Sequence, residues 1–167
     1  MRRPAASHLW PLVVLVSLLT ACGLGAAPES ERLALDPLTL ERTGKPNDFL
    51  VCPEGRCTAV TDRAGPVLAM APADQLRLWE EVIAASPRTR LLEINETTLL
   101  IHAEQRSRIF RFVDTIVIQV LPAGDSGSTF AAYSRSELGY SDMGVNQARL
   151  EEWIARLETA AGASIAG

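Results

Sequence analysis

Two segments of the chain place apolar residues three and four positions apart, and this spacing predicts amphipathic α-helices. The first segment spans Pro72 to Ser86, with Pro72 in its first turn and Pro87 closing it. The second segment spans Val145 to Thr159. The residues expected to face a core are Leu76, Trp79, Val82 and Ile83 in the first helix, and Leu150, Trp153, Ile154 and Leu157 in the second.

Between these helices, alternating and β-branched runs predict strands over Leu91–Asn95, Thr98–Arg106 and Thr129–Glu137. The run Val113–Leu121 is nearly apolar on both faces and is therefore predicted to be a central strand. The cluster Pro122–Gly127 is typical of a turn. A helix, a run of antiparallel strands and a second helix predict an α+β domain, with an antiparallel sheet of four or five strands and two helices packed on one face.

The N-terminus has the layout of a bacterial lipoprotein signal. Arg2 and Arg3 supply the positive start, and the apolar stretch Leu9–Leu19 is shorter than the about 20 residues that a membrane-spanning helix needs. The sequence Leu-Thr-Ala-Cys ending at Cys22 resembles a lipobox, in which the cysteine sulfur receives a diacylglycerol and the signal is cut before it. The new amino terminus is then acylated with a fatty acid such as palmitate. The alternative is an ordinary cleaved signal with a chance cysteine.

These features divide the chain into a signal peptide (1–21), a tether (22–45), a folded domain (46–160) and a flexible tail (161–167). The alternative for the end of the tether, which contains several scattered leucines, is a segment that packs on the domain. Cleavage leaves 146 residues, which suits one domain with a real core. Removal of two arginines from the 16 basic residues leaves 14 against 20 acidic ones, so the mature chain is acidic. This balance argues against nucleic acid as a partner. Gly23, rather than Asp, follows the modified cysteine and favours the outer membrane, facing the periplasm.

The two remaining cysteines, Cys52 and Cys57, have four residues between them, including a Pro and a Gly. In an oxidising compartment this spacing favours a local disulfide. The alternatives are a redox pair or a metal site, although thioredoxin-like motifs have two intervening residues. A structural zinc ion needs four ligands, and His102 is the only histidine after cleavage. We therefore expect no metal and no cofactor.

Three segments carry a resemblance to a known family. They are Pro46–Pro53, Phe110–Asp114 and Ser134–Asn146, the last of which reads Ser-Arg-Ser followed by Gly, Asp, Gly and Asn. These segments are similar to the DUF1499 family, a domain of unknown function found in bacterial lipoproteins, membrane proteins and plastid proteins. The resemblance covers roughly residues 46–157. Members of the family often carry a second acid after the position of Asp114, where this chain has Thr115. The resemblance implies no activity.

A group of arginines is the most unusual local charge in this acidic chain. Arg106, Arg108 and Arg111 precede the predicted central strand, and Arg135 lies on the next strand. Guanidinium groups suit the bidentate capture of phosphate or carboxylate, so this group is a candidate site for an anion, a lipid head group or a partner. The alternative is a solvated end of the sheet with ion pairs to nearby acids. Those acids are Glu104, Asp114 and Glu137.

Asp142 and Asn146 lie at the start of the last predicted helix. Asp142 or Ser141 can accept hydrogen bonds from the first amides of that helix, and Gly144 permits a tight entry. The same turn could instead present free amides to an anion. Asp114, Asp142 and Asn146 therefore join the arginines as candidate binding residues.

No coherent catalytic set is visible, so we expect a non-enzymatic, lipid-anchored periplasmic module that binds a partner protein or an envelope component. A second hypothesis is a carrier or sensor of a small apolar or amphipathic ligand, built as a small START-like fold in which a C-terminal helix closes a cavity against the sheet. A third is an enzyme that uses Asp114 with Arg111 or Arg135. Aromatic side chains filling the space between sheet and helices would argue against the carrier. Those aromatic residues are Trp79, Phe130 and Trp153.

Overall fold

A five-stranded antiparallel sheet forms the centre of the structure. The computed structural model describes residues 25–165, with side chains through residue 162. The strands are β1 (Asp48–Val51), β2 (Thr89–Asn95), β3 (Leu100–Arg106), β4 (Val113–Ala123) and β5 (Gly127–Ser136). Their spatial order is β1-β5-β4-β3-β2, and every neighbouring pair is antiparallel. The prediction that β4 is central is therefore confirmed.

The described helices are α1 (Glu29–Leu33), α2 (Pro72–Ala84) and α3 (Val145–Ile165). Helices α2 and α3 pack beside each other on one face of the sheet, as the α+β prediction requires. Helix α3 runs six residues past Thr159, so residues 161–165 are helical where the sequence predicted a tail. Burial of Ala161 holds these last turns in place. No helix within residues 25–165 is long and apolar enough to cross a membrane.

The layer between the sheet and the two long helices is filled by aromatic and branched side chains. Trp79, Phe130 and Trp153 lie at its centre and are at most 1% exposed. The ring of Trp79 meets that of Phe130 edge-on, with the centroids 4.9 Å apart. These side chains occupy the space in which a START-like fold would hold its ligand, so the structure does not support that alternative architecture.

The second face of the sheet is covered by the segment that precedes β1. Within the region predicted as a tether, α1 and the residues after it pack against the domain, as the alternative for the end of that region required. The apolar contacts on this face involve Leu35, Leu38, Leu40, Leu50, Val117 and Tyr133. The physical reason is that β4 and β5 alternate apolar residues toward both faces, and the second face needs its own cover. This cover also buries His102, whose Nε2 lies 2.9 Å from the carbonyl oxygen of Leu35.

Strand β1 and the loop after it were not predicted as elements, because four residues give too short a pattern to show a period. Strand β1 pairs with β5, with Asp48 opposite Arg135 and Val51 opposite Ala132. The following loop contains the Cys52–Cys57 disulfide, which confirms the predicted pairing.

Candidate functional site

The sheet has two ends that differ in their loops. At one end lie residues 43–47, 86–88, 107–112 and 137–144, because β1, β2 and β4 begin there and β3 and β5 finish there. Helix α3 also starts at this end, which is here called the entry end. The opposite end is formed by the turns β2–β3 and β4–β5 and is here called the hairpin end. The residues proposed from the sequence as binding residues all lie at the entry end.

At the entry end, the sheet face that carries the helices changes from apolar to polar. Asp114 continues the inward row that contains Ile116 and Ile118 on β4, since alternate residues of a strand share a face. Ser134 and Ser136 do the same on β5. The first turns of α3 lie over this polar region, and they contribute buried polar side chains of their own. Those side chains are Asn146 and Arg149.

Arg149 organises this polar region from the helix. Its Nη2 forms an ion pair with Oδ2 of Asp114, and both residues are 6% exposed. Its Nε donates to Oε1 of Gln105 at 2.8 Å, and its Nη1 donates to Oγ of Ser134 at 2.7 Å. The second oxygen of Asp114 accepts from the hydroxyl of Ser136 at 2.7 Å. A buried carboxylate with both oxygens engaged is well satisfied, which suits a structural role.

Asp142 and Asn146 fix the start of α3. Oδ1 and Oδ2 of Asp142 accept from the backbone N–H groups of Gly144 at 3.0 Å and Asn146 at 2.7 Å, which is the capping arrangement predicted from the sequence. Gly144 adopts φ +80°, which glycine tolerates without strain. The Nδ2 of Asn146 donates to the carbonyl oxygen of Asn47 at 2.9 Å. Hydrogen bonds of Asp142 and Asn146 therefore connect the start of α3 to β5 and to the residue before β1.

A groove of about 450 Å³ opens on the solvent side of this network. Its floor includes the edge of Asp114 and Ser136, and its walls come from the β3–β4 loop and the β5–α3 loop. The wall residues are Phe112, Leu138, Asp142 and Val145. The groove thus combines a satisfied polar floor with largely apolar walls.

Large apolar side chains stand exposed beside this groove, and together they are here called the apolar tip. The apolar tip consists of Ile109, Phe110, Phe112, Tyr140 and Met143. The rings of Phe110 and Phe112 stack with their centroids 5.4 Å apart. A hydrogen bond from Ser107 N–H to the Phe112 carbonyl oxygen, at 2.8 Å, closes their loop. This surface was not predicted from the sequence. The one indication in the sequence is that Phe110 and Phe112 lie beside arginines and outside any run with helix or strand periodicity.

The arginines proposed from the sequence do not converge on one centre. Arg106 forms an ion pair with Glu104 at 3.1 Å, and Arg135 forms one with Glu137 at 3.0 Å. Both pairs lie on the face opposite α3, which fits the ion-paired alternative. The remaining arginines of the group, both exposed in the β3–β4 loop, are Arg108 and Arg111. Within residues 25–162, neither of these two forms an ion pair.

The catalytic hypothesis required Asp114 to act with Arg111 or Arg135, but its partner is Arg149. Arg149 was missed because it was treated as part of an amphipathic helix, although it lies on the inward stripe one turn before Trp153. An arginine on the apolar stripe of an amphipathic helix indicates a buried ion pair, and this feature of the sequence could have identified Arg149. Among residues 25–162, no group of His, Cys, Asp or Glu is arranged to hold a metal ion.

The chain before β1 is also fastened at the entry end. The backbone N–H of Ala27 donates to Oε2 of Glu137 at 3.2 Å, and Arg32 pairs with buried Glu104 at 2.8 Å. Burial acts to raise the pKa of Glu104, but hydrogen bonds from Arg32 and Arg90 outweigh it and hold that pKa below its ordinary value. Cys22 itself lies outside the described residues.

Comparison with known proteins supports the family and adds no activity. A family model described as a protein of unknown function, DUF1499, matches residues 39–157. A solution NMR structure of a structural-genomics target from Thermobifida fusca is 15% identical in sequence. The match covers 69% of this chain and 82% of the Thermobifida fusca chain. Its TM-score of 0.38 is too low to carry an argument. No functionally curated protein matches the chain.

Proposed function

The chain belongs to the DUF1499 family, whose function is unknown, and we propose that it is a lipid-anchored, non-catalytic binding module of the bacterial cell envelope. Its binding surface is the entry end, where the groove and the apolar tip adjoin. The signal sequence ending at Cys22 supports an anchor on the periplasmic side, and Gly23 favours the outer membrane. The partner is a protein or another component of the envelope.

The observation that carries this proposal is the exposure of the apolar tip. Met143 is 96% exposed and Phe110 is 72% exposed. The five side chains come from two loops that line one groove, and exposed apolar patches rimmed by polar residues mark sites of interaction. The rigid network of Asp114 and Arg149 beneath the groove supports binding as well, because it fixes the loops that display the tip.

The same geometry disfavours the other two functions. Asp114 is buried in an ion pair with Arg149 and accepts a hydrogen bond from Ser136, an arrangement that serves the fold rather than proton transfer. A carrier needs an interior cavity, and the layer between sheet and helices is packed with Trp79, Phe130 and Trp153.

Photocrosslinking in living cells tests the proposal. A photoreactive amino acid replaces Tyr140 in the full chain, and a matched variant carries it at Val67, which is 67% exposed and lies near the hairpin end. We expect a covalent adduct from position 140 and none from position 67. Adducts of equal yield at both positions, or none at position 140, would overturn the proposed binding surface.

The anchor has its own test. The intact mass of the protein purified from membranes should correspond to a chain that begins at Cys22 and carries a diacylglycerol and an acyl group. In a Cys22→Ser variant, the mass should lack both the diacylglycerol and the acyl group. A mass that fits an unmodified chain would refute the anchor without bearing on the binding surface.

A further inference from the structure

We propose that the apolar tip and the arginines around it dock on the surface of an anionic phospholipid bilayer, the same membrane in which Cys22 is anchored. This inference rests on the proposed function and identifies the partner of the entry end. The protein would then be attached at two points, by its lipid and by its β3–β4 and β5–α3 loops. Three independent features support this orientation.

The first feature is the path of the chain. Ala27 is hydrogen-bonded to Glu137, whose own N–H donates to the carbonyl oxygen of Val113 at 3.0 Å, so the described chain starts at the entry end. Cys22 precedes Ala27 by five residues, which reach at most about 18 Å when extended. The hairpin end lies farther away, because β4 extends about 30 Å from Asp114 to Ala123. A lipid on Cys22 therefore keeps the entry end, and not the hairpin end, near the bilayer.

The second feature is the chemistry of the apolar tip. Phe110 and Phe112 form a stacked pair at the apex of the loop, with Ile109 beside them. Side chains of this kind bury themselves at the boundary between head groups and acyl chains. Arg108 precedes the pair and Arg111 lies between its two members in the sequence, and both can bind phosphate oxygens while their stems contact the apolar region. An apolar apex on the same loop as two exposed arginines fits the layered structure of a bilayer surface.

The third feature is the distribution of charge. The loops of the entry end expose basic side chains, and the acids among them are engaged, Glu137 by Arg135 and Asp142 by the amides of α3. The exposed basic residues are Lys45, Arg88, Arg108 and Arg111. The turns of the hairpin end expose acids, namely Glu96 and Asp125. On a mature chain with 14 basic and 20 acidic residues, this asymmetry favours the approach of the entry end to an anionic surface.

Fluorescence quenching in a bilayer tests the orientation. The mature lipoprotein, purified with its lipid, is placed in nanodiscs of phosphatidylglycerol that carries brominated acyl chains. A Phe110→Trp variant adds an emitter at the apex, and a matched Val67→Trp variant adds one near the hairpin end. Trp79 and Trp153 are buried in both variants and give the same background. We expect at least a twofold loss of the added emission, with a blue shift, for Phe110→Trp and no loss for Val67→Trp.

Two further variants separate folding from docking and test the role of charge. Tyr140→Trp places the emitter on the second loop and should also be quenched, so a folding defect in one variant does not decide the result. Replacing both arginines, in the Arg108→Ala/Arg111→Ala variant of the Phe110→Trp chain, should lower the quenching at least twofold. Phosphatidylcholine in place of phosphatidylglycerol should lower it in the same way. If neither the arginine substitutions nor phosphatidylcholine lowers the quenching, the inference that the tip binds an anionic surface is overturned.

Failure of this inference is distinguishable from failure of the proposed function. If the intact mass shows the lipid, yet emission from Phe110→Trp and Tyr140→Trp is unquenched, the bilayer is not the partner. A protein adduct at position 140 in cells would then leave the binding module standing with a protein partner. If the intact mass shows no lipid, the anchor and the bilayer contact are both refuted.

Discussion

The ion pair between Arg149 and Asp114 yields the sharpest prediction for stability. In an Arg149→Met variant, Asp114 keeps one hydrogen-bond partner, the hydroxyl of Ser136, and Gln105 loses its guanidinium donor. Breaking a buried ion pair by removing one partner costs about 3–5 kcal/mol, since it leaves a buried charge uncompensated. Domains of this size are stable by about 5–15 kcal/mol, so the variant should lose a large part of its free energy of unfolding.

Urea denaturation of the mature chain, followed by far-ultraviolet circular dichroism, measures this loss. With a denaturant slope of about 2 kcal/mol per molar, the midpoint should fall by about 1.5–2.5 M. The matched control is Arg156→Met on the same helix. Its ion pair with Glu152 joins side chains that are 34% and 67% exposed, and its Nη1 also donates to Oγ of Ser86 at 3.1 Å, so the expected loss is about 1 kcal/mol.

A double-mutant cycle isolates the ion pair from other effects of each substitution. The Asp114→Leu/Arg149→Met variant removes both charges, so it should be more stable than the sum of the two single losses predicts, by at least about 1 kcal/mol. If Arg149→Met instead costs no more than Arg156→Met, or if the two losses simply add, then the network does not hold the entry end together and our reasoning is wrong.

Three other predictions concern the scaffold. Removing the disulfide in a Cys52→Ser/Cys57→Ser variant should cost about 2 kcal/mol in urea unfolding, because the closed loop is short, and reductant should have the same effect on the native chain. Folding lowers the pKa of Glu104 from its ordinary value of 4.5, so the ionised carboxylate stabilises the folded protein at neutral pH. This stabilisation is lost as the pH falls below 4.5 and through the lower pKa of the folded state. A Glu104→Gln variant should therefore show a flatter decline of the free energy of unfolding from about pH 5 to about pH 3, and an unchanged slope would count against the pairing with Arg32. Gly65→Ala should destabilise the protein, since its Cβ would lie 2.6 Å from the Phe130 carbonyl oxygen, whereas Gly162→Ala meets nothing within 4 Å and should stabilise α3 by up to about 1 kcal/mol in thermal unfolding.

The elements with long periodic patterns could be predicted from the sequence. Helix α2 begins at Pro72 and buries the predicted stripe around Trp79, and β4 is central because its run of branched residues is apolar on both faces. The cap of α3 by Asp142 could also be predicted, since it depends on local geometry alone.

The parts that could not be predicted depend on contacts between distant segments. Strand β1 is stabilised by its pairing with β5, and the segment before it is held by Arg32 and Glu104, which are 72 residues apart. The Arg149 pair joins a helix to a strand 35 residues away, so no local pattern indicates it. The apolar tip is visible only when two loops meet at the same end of the sheet.

Radical footprinting in native membranes tests the central claim, that the entry end is the binding surface of a membrane-anchored module. Hydroxyl radicals oxidise exposed Met, Phe and Tyr side chains, and the apolar tip contains Met143, Phe110 and Tyr140. The comparison is between the protein in its own membranes and the same chain released by a protease at a site inserted after Gly25. We predict several-fold slower oxidation of these three residues in the membrane. Equal rates in the two states, or protection confined to the neighbourhood of Val67, would contradict the account.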